Sequence, residues 1–159
     1  MEKYIYTKRY SICHELCDEI IDRHRNVEIV NDVKIINTIH EELEDALKSI
    51  QTICKDSKIE EYILLNNYQF LKLPQNQSGI SYSYDLKVID KNIYSYFDFI
   101  IFLNTIEHGG EVEIMDQPKI HAEKGTLLIF PSGWCFPYSH KTPLSSDQYL
   151  IKGKLFKKF

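Results

Sequence analysis

Tyr68-Gln-Phe-Leu-Lys-Leu73 is the stretch on which the fold turns. From about Ile59 onward the apolar residues recur with a period near two, the spacing of a β-strand, and this segment is the first full example. Continuing toward the C-terminus, Ile80–Leu86, Tyr96–Leu103, Glu111–Ile114, Lys119–His121, Thr126–Phe130 and Gln148–Leu155 are short and rich in β-branched and aromatic residues. Turn signals separate them: Pro74-Gln-Asn-Gln-Ser-Gly79, Gly109-Gly110, Asp116-Gln-Pro118, Lys124-Gly125 and Pro131-Ser-Gly133. Strands this closely spaced, with no helix between them, pair as an antiparallel sandwich or barrel, not as βαβ units.

Toward the N-terminus the period changes to that of a helix. Ile12, Leu16, Ile20 and Ile21 form one amphipathic stripe, with Ser11 placed to cap it. Ile36, Ile39, Leu43, Ala46, Leu47, Ile50 and Ile53 form a second, closed by the polar stretch Lys55–Lys58. The acidic run Glu41-Glu-Leu-Glu-Asp45 reads as the solvated face of that helix. Two helices ahead of a strand-only core predict an α+β fold: a double-stranded β-helix, or jelly roll, of antiparallel strands buttressed by N-terminal helices. The whole chain, residues 1–159, reads as one domain, with helices over about 11–55 and the jelly-roll core over about 59–156.

Composition excludes several classes of partner. A net charge of -4 leaves no strongly basic surface for nucleic acid or anionic lipid, the local exception being Lys152, Lys154, Lys157 and Lys158. The longest nearly apolar runs, Phe99–Leu103 and Thr126–Pro131, are far shorter than the roughly 20 residues that span a bilayer. Cys13, Cys17, Cys54 and Cys135 include no CxxC pair for zinc. Cys13 and Cys17 share one helix face and Cys54 ends the second helix, so reduced, mostly buried thiols are expected. The opening residues carry no apolar signal region, and a cytoplasmic location is the expectation.

A small antiparallel barrel binds ligands in its mouth. The polar residues placed there by the strand reading are Ser83, Asp85, His108, His121, His140, Gln148 and Lys152. His121, among aromatics, reads as a hydrogen-bonded or surface histidine, and His108, in Glu107-His-Gly-Gly110, as an exposed one. His140 differs, because it follows the aromatic segment Trp134-Cys-Phe-Pro-Tyr-Ser139 and precedes Pro143.

Several of these segments together resemble the Fe(II)/2-oxoglutarate-dependent oxygenases of the prolyl 4-hydroxylase type. Ile101-Phe-Leu-Asn-Thr-Ile-Glu-His-Gly-Gly-Glu111 resembles that family's strand and Gly-Gly-Glu turn. Lys119-Ile-His-Ala-Glu-Lys-Gly-Thr-Leu-Leu-Ile-Phe-Pro-Ser132 resembles its Gly-x-Leu-x-x-Phe-Pro-Ser stretch. His140, Pro143 and Tyr149 fall where the family has its distal histidine, a proline and the last strand, and Leu16-Cys-Asp-Glu-Ile-Ile21 resembles its opening helix. The series covers residues 10–156 in order.

The resemblance implies a site. Such enzymes hold Fe(II) by two histidines and a carboxylate, leaving positions for 2-oxoglutarate and O2. Leu73-Pro-Gln-Asn-Gln-Ser-Gly-Ile-Ser-Tyr-Ser-Tyr-Asp85 aligns without a gap on the family's strand ending His-x-Asp. Asp85 therefore matches the carboxylate ligand, His140 the distal histidine, and Ser83 stands where the first histidine belongs. Where the family carries the basic residue that pairs with 2-oxoglutarate, this chain has Gln148, which offers hydrogen bonds but no charge, with Lys152 four residues on along the same strand face as a substitute. Leu73 replaces a tyrosine that touches the co-substrate, with Tyr82 near enough to contribute. Among the aromatics, Phe99 and Phe130 read as barrel core, whereas Tyr84, Trp134 and Tyr138 read as substrate contacts at the mouth. Two functions follow: a diverged oxygenase that hydroxylates a protein side chain or a small molecule, or a jelly-roll binding or assembly module that has lost iron. With no insertions to grip a substrate, the chain favours a small-molecule or extended peptide substrate, or an oligomer or partner subunit that completes the site.

Overall fold

The computed structural model describes residues 5–53 and 62–159. In chain order its elements are β1 (Tyr6–Lys8), α1 (His14–His24), β2 (Ile29–Val30), α2 (Val33–Ile53), β3 (Tyr62–Ile63), β4 (Tyr68–Leu73) and β5 (Ile80–Ser83). There follow β6 (Val88–Asp90), β7 (Ile93–Phe102), β8 (Val112–Ile114), β9 (Leu127–Pro131), β10 (Tyr138–His140) and β11 (Gln148–Lys158). All pairings are antiparallel. The large sheet runs β1-β9-β7-β11-β4-β2, with β3 added to β11 and β6 to β7; the small sheet runs β5-β10-β8. The two ladders lie apart and do not close into a continuous barrel. Two helices ahead of a two-sheet antiparallel core is the jelly roll that the periodicity predicts.

Why β7 reads as a nearly unbroken apolar run is clear from its place at the centre of the large sheet, buried on both faces. Phe97, Phe99 and Ile101 join the cluster under the helices, while Ile100 and Phe102 join a second cluster with Leu128, Leu150, Val112 and Tyr138. The second cluster draws on both sheets, so it is the interior between them. α2 covers the outer face with the predicted stripe: Ile39, Leu43 and Ala46 are fully buried. Each aliphatic side chain of that size contributes about 1.5–3 kcal/mol through burial.

The helix starts depart from expectation. The residue preceding α1 is Cys13, which makes no side-chain capping bond. Ser11 instead donates its hydroxyl to Glu42 on α2, and the Lys8 ammonium meets the same carboxylate at 2.8 Å. One residue of the acidic run thus ties β1 and the α1 approach to α2 and is not merely solvated. α2 is capped by Asp32, whose Oδ1 accepts the Lys34 and Ile35 amides at 3.0 and 3.2 Å. Cys17 is buried as expected, but Cys13 and Cys135 are exposed, and all three are free thiols; Cys54 and the predicted end of the second helix lie outside the described residues. Of the predicted strands, residues 119–121 form only a single bridge, Val112 with Ile120, and β5 stops at Ser83 instead of reaching Leu86. Among the described residues no helix is long and apolar enough to cross a membrane.

Candidate functional site

β11 brings the site together by alternation. Gln148, Leu150, Lys152 and Lys154 point into the space between the sheets, while Ile151 and Leu155 point under the helices. Register fixes their neighbours: Gln148 lies opposite Leu73 of β4, Lys152 opposite Gln69 and Ile100, and Lys154 opposite Asp98 of β7. The small sheet covers them from the other side with Tyr138 and His140 of β10. Two glycines allow this approach. A Cβ at Gly79 would lie 2.1 Å from the His140 carbonyl oxygen, and Gly110, at φ +71°, brings its carbonyl within reach of Gln148.

The charged residues of this interior are joined through one ammonium. Lys154 Nζ donates to Asp98 Oδ1 and, at 2.9 Å, to the backbone oxygen of Asp85, with the Asp85 carboxylate at 3.6 Å. Ser132 adds a second donor to Asp98 at 3.1 Å. Asp98 is 1% exposed. Burial pushes its carboxyl above the usual range, while Lys154 and Ser132 pull it back down. A buried carboxylate of this kind is tolerated because both a cation and a hydroxyl satisfy it.

His140 is left differently. It is 1% exposed, and neither ring nitrogen has a hydrogen-bond partner. Burial, reinforced by the positive charge of Lys152, lowers its pKa to about 4, so the ring is neutral at pH 7. Tyr138 packs edge-on against it at 5.7 Å between ring centroids. Gln148 is fully buried; its amide donates to the Gly110 carbonyl at 2.8 Å, and its Oε1 has no partner. Lys152 Nζ sits over the Tyr138 ring, 4.7 Å from the centroid, and among the described residues it makes no hydrogen bond or ion pair. Burial lowers its pKa, with Asp98 acting in the opposite sense and Lys154 adding to the depression.

The remaining predicted residues spread outward. Ser83 is exposed at the end of β5, opposite Tyr138 of β10. Tyr82 is exposed and lies under the Lys141 ammonium, 5.5 Å from the ring centroid, while Lys141 pairs with Glu113 at 2.9 Å. Tyr84 and Trp134 stand at the surface, 61% and 75% exposed, whereas Tyr138 is buried against Phe130 and His140. His108 and His121 are exposed. Asp98, Ser132 and Lys87 carry no signal in the sequence that assigns them to the site, and Lys154 stands out there only as one of the basic cluster Lys152, Lys154, Lys157 and Lys158. The one mark on Asp98 is that it is the only charge inside the apolar run 96–103.

A cavity of about 210 Å3 opens beside the ion pairs, lined by Tyr68, Gln69, Asp85, Lys87, Lys152 and Lys154 among others. Neither His140 nor Gln148 lines it.

The donor set does not suit a resident iron. Ser83 offers a neutral hydroxyl, the Asp85 carboxylate is 51% exposed with the Lys154 ammonium 3.6 Å away, and only His140 is a free imidazole. Among the described residues no three His, Cys, Asp or Glu side chains gather as a metal site.

The sequence matches no protein-family model and no curated protein. Its fold has clear counterparts among solved structures. A viral collagen prolyl hydroxylase of Paramecium bursaria Chlorella virus-1, in complex with 2-oxoglutarate, superposes with a TM-score of 0.78 at 16% identity, covering 97% of this chain and 96% of the other. A Pseudomonas putida prolyl 4-hydroxylase gives 0.67 at 12% identity over 97% and 87% of the two chains. A Trichoplax adhaerens prolyl hydroxylase, bound to a peptide of a hypoxia-inducible factor, gives 0.62 at 16% identity over 98% and 84%. This chain therefore has the double-stranded β-helix fold of the prolyl 4-hydroxylase type of Fe(II)/2-oxoglutarate oxygenase.

Proposed function

We propose that this protein is a catalytically silent jelly-roll binding module, built on the prolyl 4-hydroxylase fold and working without iron. One observation carries the reading: Lys154 bridges Asp98 and Asp85. The carboxylate that the family resemblance assigns to the metal is here the counter-ion of a lysine, and a buried ammonium already supplies the positive charge. Ser83 and Gln148 agree with this reading, since neither the first imidazole nor the basic anchor for 2-oxoglutarate is kept at its expected position. The occupant of the mouth is a small molecule or a peptide. A peptide is supported by the exposed aromatics Tyr84 and Trp134 and by the peptide bound to the Trichoplax hydroxylase.

A second reading, a diverged oxygenase that hydroxylates such a substrate with Fe(II) and 2-oxoglutarate, is favoured by His140, whose buried ring nitrogens await a partner. Succinate release separates the two. Purified protein supplied with Fe(II), ascorbate, O2 and 2-oxoglutarate releases no succinate above a protein-free blank on the first reading. Turnover that disappears in His140→Ala establishes the second.

A further inference from the structure

The cavity beside the Lys154 network has a composition that selects its occupant. It lies between β4, β11 and the segment that follows β5, and two of its lysines, Lys87 and Lys152, pair with no carboxylate among the described residues. Lys154, the third, is already shared between Asp85 and Asp98. Three ammonium groups against two carboxylates leave one positive charge uncompensated. Lys152 is the clearest case, since it is half-buried and its ammonium meets only the face of the Tyr138 ring. A cation withdrawn from water without a counter-ion is costly, and an anion arriving beside it relieves that cost.

At about 210 Å3 the cavity has room for a small organic molecule. The walls that are not charged are partly apolar, with Leu65, Tyr68 and Phe156 facing the space.

We propose that this cavity binds a small organic monocarboxylate, with the carboxylate on Lys152 and Lys87 and its short carbon chain against Leu65, Tyr68 and Phe156. The single uncompensated charge selects a monoanion over a dicarboxylate such as 2-oxoglutarate. The assignment rests on the iron-free reading above, because it takes Lys154 as the standing partner of Asp85. The downward shift of the Lys152 pKa caused by burial agrees with it, since a bound carboxylate favours the charged form that burial disfavours.

The test is an amide NMR titration of the full chain with lactate, inorganic phosphate and 2-oxoglutarate as separate probes, without metal. Lactate is expected to shift the Lys152 and Gly153 amides saturably and to bind more tightly than 2-oxoglutarate. Its affinity should fall by about tenfold or more in Lys152→Met, the scale of a lost charge-assisted bond. Lys152→Arg, which keeps the charge, and Lys91→Met, on the surface, should bind within a few-fold of the parent protein; their spectra also show that the fold survives. No saturable lactate shift along β11, undiminished binding in Lys152→Met, or tighter binding of phosphate or 2-oxoglutarate each overturns the assignment. A Mn(II) titration of the same sample reports on the iron-free reading by itself: stoichiometric Mn(II) binding defeats that reading, whereas failure with lactate alone defeats only the monocarboxylate.

Discussion

The two faces of β11 differ in kind. Ile151 and Leu155 lie under the helices in a largely apolar cluster, whose polar neighbours are satisfied: the Tyr68 hydroxyl meets His40 at 2.9 Å and the buried His24 meets the Ile20 carbonyl at 2.8 Å. On the opposite face of the same strand, Gln148, Lys152 and Lys154 face the small sheet, where Gln148 Oε1 and both His140 ring nitrogens lack partners. Packing alone accounts for the first face. The second carries buried polar groups that raise the cost of folding, and costs of that sort persist where a ligand, not stability, sets the residues.

The comparison can be broken most sharply at the ion pair. Asp98→Ala leaves Lys154 buried without its main counter-charge and should cost about 3–5 kcal/mol in urea unfolding. The paired change Asp98→Leu with Lys154→Met should recover most of that loss, because a buried ion pair and an apolar pair of similar size are nearly equivalent. A double variant as unstable as Asp98→Ala would show that the pair itself stabilises the fold. On the other face, Ile151→Ala should cost about 2–5 kcal/mol as a cavity, with no dependence on pH.

Acid distinguishes the faces next. His140 has a folded pKa of about 4 against 6.5 in the unfolded chain, so the unfolded chain binds the extra proton between these values. Stability from the neutral ring is fully present above pH 6.5 and declines as the pH falls toward 4, by about 3 kcal/mol in all. Unfolding curves of the parent protein and His140→Leu over this range should diverge by that amount. Leucine removes the slope, and equal slopes would place the acid sensitivity elsewhere.

The sequence showed the helix-side face well and the inner face less well, for a physical reason. The α2 stripe and the bounds of β4 follow from spacing alone, since one long period fixes which residues are buried. Two-residue strands such as β2 and β3 hold no period to read, and β10 is hidden by Ser139 between Tyr138 and His140. The positions of His140, Gln148 and Lys152 came from resemblance and strand alternation, whereas the tie between Lys154 and Asp98, 56 residues apart, depends on the β7–β11 register. No local pattern in a sequence encodes that register, so nothing near either residue in the chain announces the pair.

The central claim is that Asp85 serves a lysine and not a metal. Calorimetric titration of the purified chain with Mn(II), under argon and in the presence of 2-oxoglutarate, tests it directly. The account predicts no stoichiometric binding in the parent protein and none in Asp85→Ala or His140→Ala. One Mn(II) bound per chain, lost in both variants, would contradict it.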